Sequence, residues 1–330
     1  MAQKEILKTV KLCDSQGNLN NSAIGWSKNP VHKINLKGSP FRKKRWNYWA
    51  INNSNLSLTI AITTFEYASV GFIYLMDYKN NEFYEDKEVI PGSMNVYLPD
   101  SLLGTNSFNG KKITIEMLHK NKEVIINASS KKFKSEFFIE YPENYESLNV
   151  VIPWNEKRFQ YTSKQNCLPV EGALYTNNQT IIFEKNSSLA SLDFGRGKWP
   201  YETFWNWATF STYISKNKIG INFGAKWTDG TGMNENAITY NDKIYKINED
   251  IKFIYDKKNL MANWTLKNSN ESINLKFTPL YIRKDRTKAL FIKSKFDQIF
   301  GYFNGYVQIN DKKINITKTY GCVEEHKAKW

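Results

Sequence analysis

Residues 193–208 read Asp-Phe-Gly-Arg-Gly-Lys-Trp-Pro-Tyr-Glu-Thr-Phe-Trp-Asn-Trp-Ala. The pattern continues through Asn222-Phe-Gly224 to Thr228-Asp-Gly-Thr-Gly-Met-Asn-Glu-Asn-Ala237. Gly195 and Gly197 permit positive φ or close backbone approach, and Pro200 then fixes the chain direction. If the following segment is a strand, Trp205 and Trp207 share one face, and Phe204 and Asn206 share the other. An arginine, several carboxylates and amphipathic aromatics in one short span are the materials of a walled pocket with a few polar groups. They equally suit a Trp-rich β core with turn glycines.

Outward from this stretch the periodicity is that of strands. Leu56, Leu58, Ile60 and Ile62 alternate with Ser57, Thr59, Ala61 and Thr63, as in a half-buried strand. Ile113, Ile115 and Met117 repeat the pattern before a turn at Lys120-Asn121, and Val124–Ile126 follows. Val307 and Ile309 face Ile314 and Ile316 across Asn310-Asp311, a hairpin signature. No segment carries a sustained helical stripe, so the expected class is all-β with few short helices. Gly25-Trp-Ser-Lys-Asn-Pro30 and Gly195-Arg-Gly-Lys-Trp-Pro200 share a spacing, and each precedes an aromatic knot, Trp46-Asn-Tyr-Trp-Ala50 or Trp205-Asn-Trp-Ala208. This internal echo divides the chain into β domains at 1–165 and 166–330. So many antiparallel strands must close or pair to hide their edges, which predicts a barrel or sandwich in each half.

Composition excludes several classes. The net charge is +14, but 40 of the 46 basic residues are Lys, scattered among many Asn. A solvated face is expected from this scatter rather than a nucleic-acid site. Where Lys is the default cation, the six Arg mark positions needing a planar or stacked guanidinium, with Arg45, Arg196 and Arg283 beside aromatic or turn-marked segments. Cys13, Cys167 and Cys322 are widely spaced, and His32, His119 and His326 are isolated, so neither a disulfide framework nor a metal site is expected. No apolar run is long enough to span a membrane. The start, Met-Ala-Gln-Lys, lacks a signal region, so a cytoplasmic location is expected. No phosphate loop or nucleophile elbow is present. No cofactor is expected, and no protein partner can be inferred.

Gly195-Arg-Gly-Lys-Trp-Pro-Tyr201, Trp205-Asn-Trp-Ala208, Asn222-Phe-Gly224, Glu235-Asn236 and the closing Gly321-Cys-Val-Glu-Glu-His-Lys-Ala-Lys-Trp330 together resemble the uncharacterised bacterial family called domain of unknown function 2804. Gly25-Trp26, Lys44-Arg-Trp46, Tyr48-Trp49 and Lys164 with Pro169, Glu171 and Gly172 match it too, so the resemblance covers nearly the whole chain. Lys329 stands where the family pattern leads us to expect Arg. The family is distantly similar to hydroxyneurosporene synthase (the carotenoid hydratase) and to tocopherol cyclase. That similarity implies two tandem lipocalin-like β-barrels, and a chemistry in which a proton is added to an isolated carbon–carbon double bond.

Such chemistry needs a carboxylic acid kept protonated by apolar surroundings, aromatic faces for the cation and a shielded chamber. The catalytic candidates are Asp193, Glu202 and Glu235. The ligand-binding candidates are Arg196, Trp199, Tyr201, Trp205, Asn206, Trp207, Asn222, Asn236 and Arg283. Glu324 and Glu325 are expected to pair with surface Lys, and Asp229 to form a tight turn. The leading expectation is an enzyme without cofactor that hydrates, isomerises or cyclises an apolar unsaturated small molecule. The alternatives are a carrier for a lipid-like ligand and a carbohydrate-binding or glycoside-processing protein with two carboxylates across an open cleft. The site is expected in or near the C-terminal half.

Overall fold

The computed structural model describes residues 2–289 and 292–330, with Ala289 by its backbone alone. Its regular structure comprises 25 strands and one 3-10 turn, Asn21–Ala23, among the described residues. No helix there is long and apolar enough to cross a membrane. The fold is all-β, in two tandem barrel-like units.

The first unit grows from a meander of Lys43–Asn52, Leu56–Thr64, Ala68–Asp77 and Glu82–Pro91, which pair in sequence order. Leu189–Lys198 joins the meander at Lys43–Asn52, and the 19-residue strand Arg158–Thr176 lies beside it. Strands Phe133–Glu140, Glu123–Ser129, Thr114–His119 and Gly104–Asn109 complete the curl. The two ends of the curled sheet are tied by a side chain. Glu88 accepts from the backbone N–H groups of Lys111, Lys112 and Ile113 at 2.8–2.9 Å.

The second unit repeats the plan. A meander of Glu202–Ile214, Asn217–Ala225, Ala237–Tyr240 and Lys243–Lys246 starts on the second aromatic knot, as the first meander does on the first knot. Three strands of 17 or 18 residues follow on the other side, Ile273–Ala289, Ile292–Ile309 and Lys312–Lys329. At about 3.4 Å per residue these run near 60 Å, long enough to line their own barrel and then extend along its neighbour. The expected hairpin is present, with Val307 opposite Ile314.

Residue 165 lies inside Arg158–Thr176, and the Gly-Arg-Gly segment belongs to the first sheet. Sheet membership therefore changes at 199–201, later than the expected 165/166 boundary. Each barrel encloses its own hydrophobic core of mixed aliphatic and aromatic side chains. Two further clusters lie where the barrels meet, one built around Trp26, Trp199, Trp227 and Trp330, the other around Tyr74, Tyr78, Trp207 and Phe300. Contact on both faces explains why Leu56–Thr64 is buried at Ser57, Thr59 and Ala61 as well as at its aliphatic positions. The three cysteines are buried free thiols.

Candidate active site between the two barrels

Strand alternation decides which side chains reach the space between the barrels. In the first sheet Asp193 lies opposite Tyr48, and Gly195 opposite Trp46. These face the second barrel, while Phe194 and Arg196 point the other way. In the second sheet one row reads Trp207, Glu324, Gln298 and Arg283 across four strands, and the next reads Trp205, His326, Phe296 and Asp285. The rows enclose a cavity of about 410 Å³ with Trp46, Tyr48, Phe65, Trp199 and Trp227 on its walls, within the size range of small-molecule sites. A larger groove of about 710 Å³ lies over the outer strands of the first barrel, with Glu116, Lys134 and Glu136 among its lining residues. The buried ionisable groups converge on the smaller cavity instead.

Glycine makes the close approaches possible. A Cβ on Gly195 would lie 2.1 Å from the Trp46 ring, and one on Gly224 would lie 2.1 Å from Glu235 Oε1. Neither glycine has positive φ, so these two serve proximity rather than turning.

Lys164, Asp193 and Glu235 form the charged end of the cavity. Lys164 Nζ lies 2.6 Å from Asp193 Oδ2 and 3.0 Å from Glu235 Oε2. Asp193 Oδ1 also accepts from Trp46 Nε1 at 3.0 Å and from Thr162 Oγ1 at 3.4 Å. Glu235 Oε1 accepts from Trp227 Nε1 at 2.9 Å. Burial pulls the ammonium of Lys164 toward neutrality, but Asp193 and then Glu235 outweigh it and hold the pKa above its ordinary value. Burial raises the carboxyl of Glu235 despite Lys164.

Glu324 sits in a different environment. Its oxygens accept from neutral donors, Gln298 Nε2 at 2.9 Å and Trp205 Nε1 at 3.3 Å. Burial, with no cation in contact, pushes its carboxyl up to about 8. Gln298 also donates to Tyr48 Oη at 3.1 Å and accepts from Tyr74 Oη at 2.8 Å, and the two phenols lie 2.6 Å apart. The acid is thus held by residues of both barrels. His326 packs edge-on to Trp205 with centroids 4.0 Å apart, and its Nε2 lies 2.8 Å from Ser294 Oγ. Burial lowers its pKa to about 3, so the ring is neutral.

Of the residues singled out from sequence, Asp193, Trp199, Trp205, Trp207, Glu235 and Arg283 line this cavity. Arg283 stacks 5.2 Å above Phe72 and pairs with Glu85 Oε1 through Nε at 3.0 Å. Asn222 stands behind the wall, accepting from Trp207 Nε1 at 2.8 Å and donating to the Glu235 carbonyl at 2.6 Å.

The others lie elsewhere. Arg196 is buried inside the first barrel, donating to the carbonyls of Pro99 and Trp46 and to Asn47 Oδ1 at 2.8–2.9 Å. Asn206 faces the second barrel's interior and donates to Tyr255 Oη at 3.1 Å. Asn236 caps the Gly224 N–H at 2.8 Å. Tyr201 is on the surface with Arg42 above its ring. Glu202 is exposed and pairs with Lys329 Nζ at 2.7 Å through a single oxygen. Conversely, Glu324, expected to pair with surface Lys, is buried among neutral donors, whereas Glu325 is buried yet lies 3.4 Å from the exposed Lys327. Lys164, Glu324, Gln298 and Tyr48 complete the site without having been candidates. For Lys164 the one signal was its place in the family pattern.

The family model described as "Domain of unknown function (DUF2804)" matches residues 3–330. The chain belongs to this family. Among solved structures, the DUF2804 chain is similar to kievitone hydratase from Nectria haematococca. The TM-score is 0.52 at 12% identity, covering 86% of this chain and 88% of that one. It is also similar to a protein assigned as AttH from Nitrosomonas europaea, with a TM-score of 0.52 at 9% identity, covering 88% of this chain and 93% of that one. A search of curated protein sequences finds no match. At these identities the likeness is one of fold, a two-barrel arrangement found in a hydratase.

Proposed function

We propose that the protein is an enzyme that adds a proton to a carbon–carbon double bond of an apolar small molecule held between the barrels. Glu324 is the acid. The observation that carries this reading is a fully buried carboxyl, contacted by neutral donors, with its proton retained to about pH 8 in an aromatic cavity.

Transfer of the Glu324 proton to one alkene carbon leaves a cation on the other. The faces of Trp205, Trp207 and Trp46 supply electron density to it without a nucleophile. Capture by water or by a hydroxyl of the ligand forms the new C–O bond, and the displaced proton returns to the Glu324 carboxylate, giving hydration or cyclisation. Loss of a different C–H proton gives isomerisation. Asp193 accepts from Lys164, Trp46 and Thr162. It and Glu235 counter the developing positive charge from the opposite end. The shared fold with kievitone hydratase agrees with this class. The glycoside alternative needs two carboxylates facing each other across a cleft, and Asp193 and Glu235 instead converge on one ammonium.

The test is an incubation in heavy water with the apolar compounds that co-purify with the protein, read by mass spectrometry. Deuterium fixed on carbon, lost in Glu324→Gln while the compound is still retained, is the expected result. Retention without any deuterium in the native protein would make it a carrier.

A further inference from the structure

The strands that wall the cavity carry a second surface on their reverse side. Register places Lys329, Lys293 and Lys288 directly opposite one another, and two residues along it places Lys327, Lys295 and Arg286 in a parallel row. All six are exposed. Like charges directly opposite across strands destabilise a sheet, so two successive rows of three cations act against the fold that carries them. Asp297 pairs with Arg286 and lies 3.7 Å from Lys295, Glu325 lies 3.4 Å from Lys327, and Glu202 lies 2.7 Å from Lys329. Six cations against these three carboxylates leave an excess of three positive charges.

We propose that this face docks the protein on the surface of an anionic lipid bilayer. The inference rests on the reading of the cavity as a site for an apolar ligand, and it names where that ligand is collected. Thr287 and Ser294 alternate with the cations along the same strands and line the cavity. A bilayer held by the rows therefore lies one strand thickness from the chamber, and apolar compounds concentrate in bilayers. Basic residues near an anionic surface each contribute about fivefold in affinity. Five of the six are Lys, point charges without the planar fork that favours bidentate phosphate or base contacts, so a lipid surface fits better than a nucleic acid.

The experiment is co-sedimentation of the full chain with phosphatidylcholine vesicles, with and without about one third phosphatidylserine, at about 0.1 M salt. Binding to the anionic vesicles only, reversed by high salt, is expected. The quadruple variant Lys288→Gln, Lys293→Gln, Lys295→Gln, Lys327→Gln should bind roughly several-hundredfold more weakly while keeping the far-UV spectrum of the native chain. Removing the exposed Lys122 and Lys131 of the first barrel should cost far less per charge. Equal binding to both vesicle types, unchanged binding by the quadruple variant, or tighter binding to duplex DNA than to vesicles at the same salt would overturn the proposal. Vesicle binding is read without turnover, so failure of the heavy-water experiment and failure of this one are separate results.

Discussion

Glu324 gives the protein a pH dependence with a definite sign. Its carboxyl has an ordinary value of 4.5 and is held at about 8 in the fold. Between those values the native state keeps a proton that the unfolded chain releases, so stability falls as pH rises through the window. The loss is complete above the folded value and on the order of a few kcal/mol. Urea midpoints measured near pH 5 and near pH 8.5 should show this slope, and Glu324→Gln should flatten it. Turnover should decline above about 8 on the same titration. Lys164 stabilises the fold by offsetting two carboxylates, the buried Glu235 and the half-buried Asp193. Lys164→Met should destabilise by about 3–5 kcal/mol, since Asp193 and Glu235 would be left without a counter-charge, and chemical denaturation will read it. Glu324 and Lys164 both stand in the family pattern, yet nothing else in the sequence placed either of them in the site. Val-Glu-Glu-His reads as an exposed acidic run until one knows that both faces of its strand are covered.

At the level of single strands, much could be read in advance. The division of Trp205 and Trp207 from Phe204 and Asn206 follows from alternation alone, and both pairs fall as it predicts. Alternation assigns a side chain to a face but says nothing of what that face meets. Arg196 therefore went to the inside of the first barrel and Asp193 to the cavity, although they are three residues apart. The close-approach glycines yield a test at this scale. Gly224→Ala should force the Glu235 carboxylate from its place and destabilise by about 1–3 kcal/mol. Crystallography of the variant, or loss of the Trp227 indole N–H shift in NMR spectra, will show the displacement.

Over the whole molecule, the two barrels share buried contacts that neither can satisfy alone. Tyr74 of the first bonds Gln298 of the second, and Glu85 and Lys87 pair with Arg283 and Asp285 across the boundary. Unfolding should accordingly be one cooperative transition, with far-UV and tryptophan signals coincident in urea. Two separated transitions would refute that coupling. The barrel plan was legible from strand patterning, the internal echo and the family resemblance. The location of the chamber between the units was not, because it depends on how two outer faces meet. The indoles there also have an optical consequence. Trp199 and Trp227 are stacked with centroids 5.4 Å apart and planes 14° from parallel, and Trp154 lies 4.7 Å from Trp199. Chromophores this near exchange excitation, so the native protein should show a coupled circular-dichroism band and self-quenched emission. A guest entering the chamber would perturb both, and the protein can report its own occupancy without a dye.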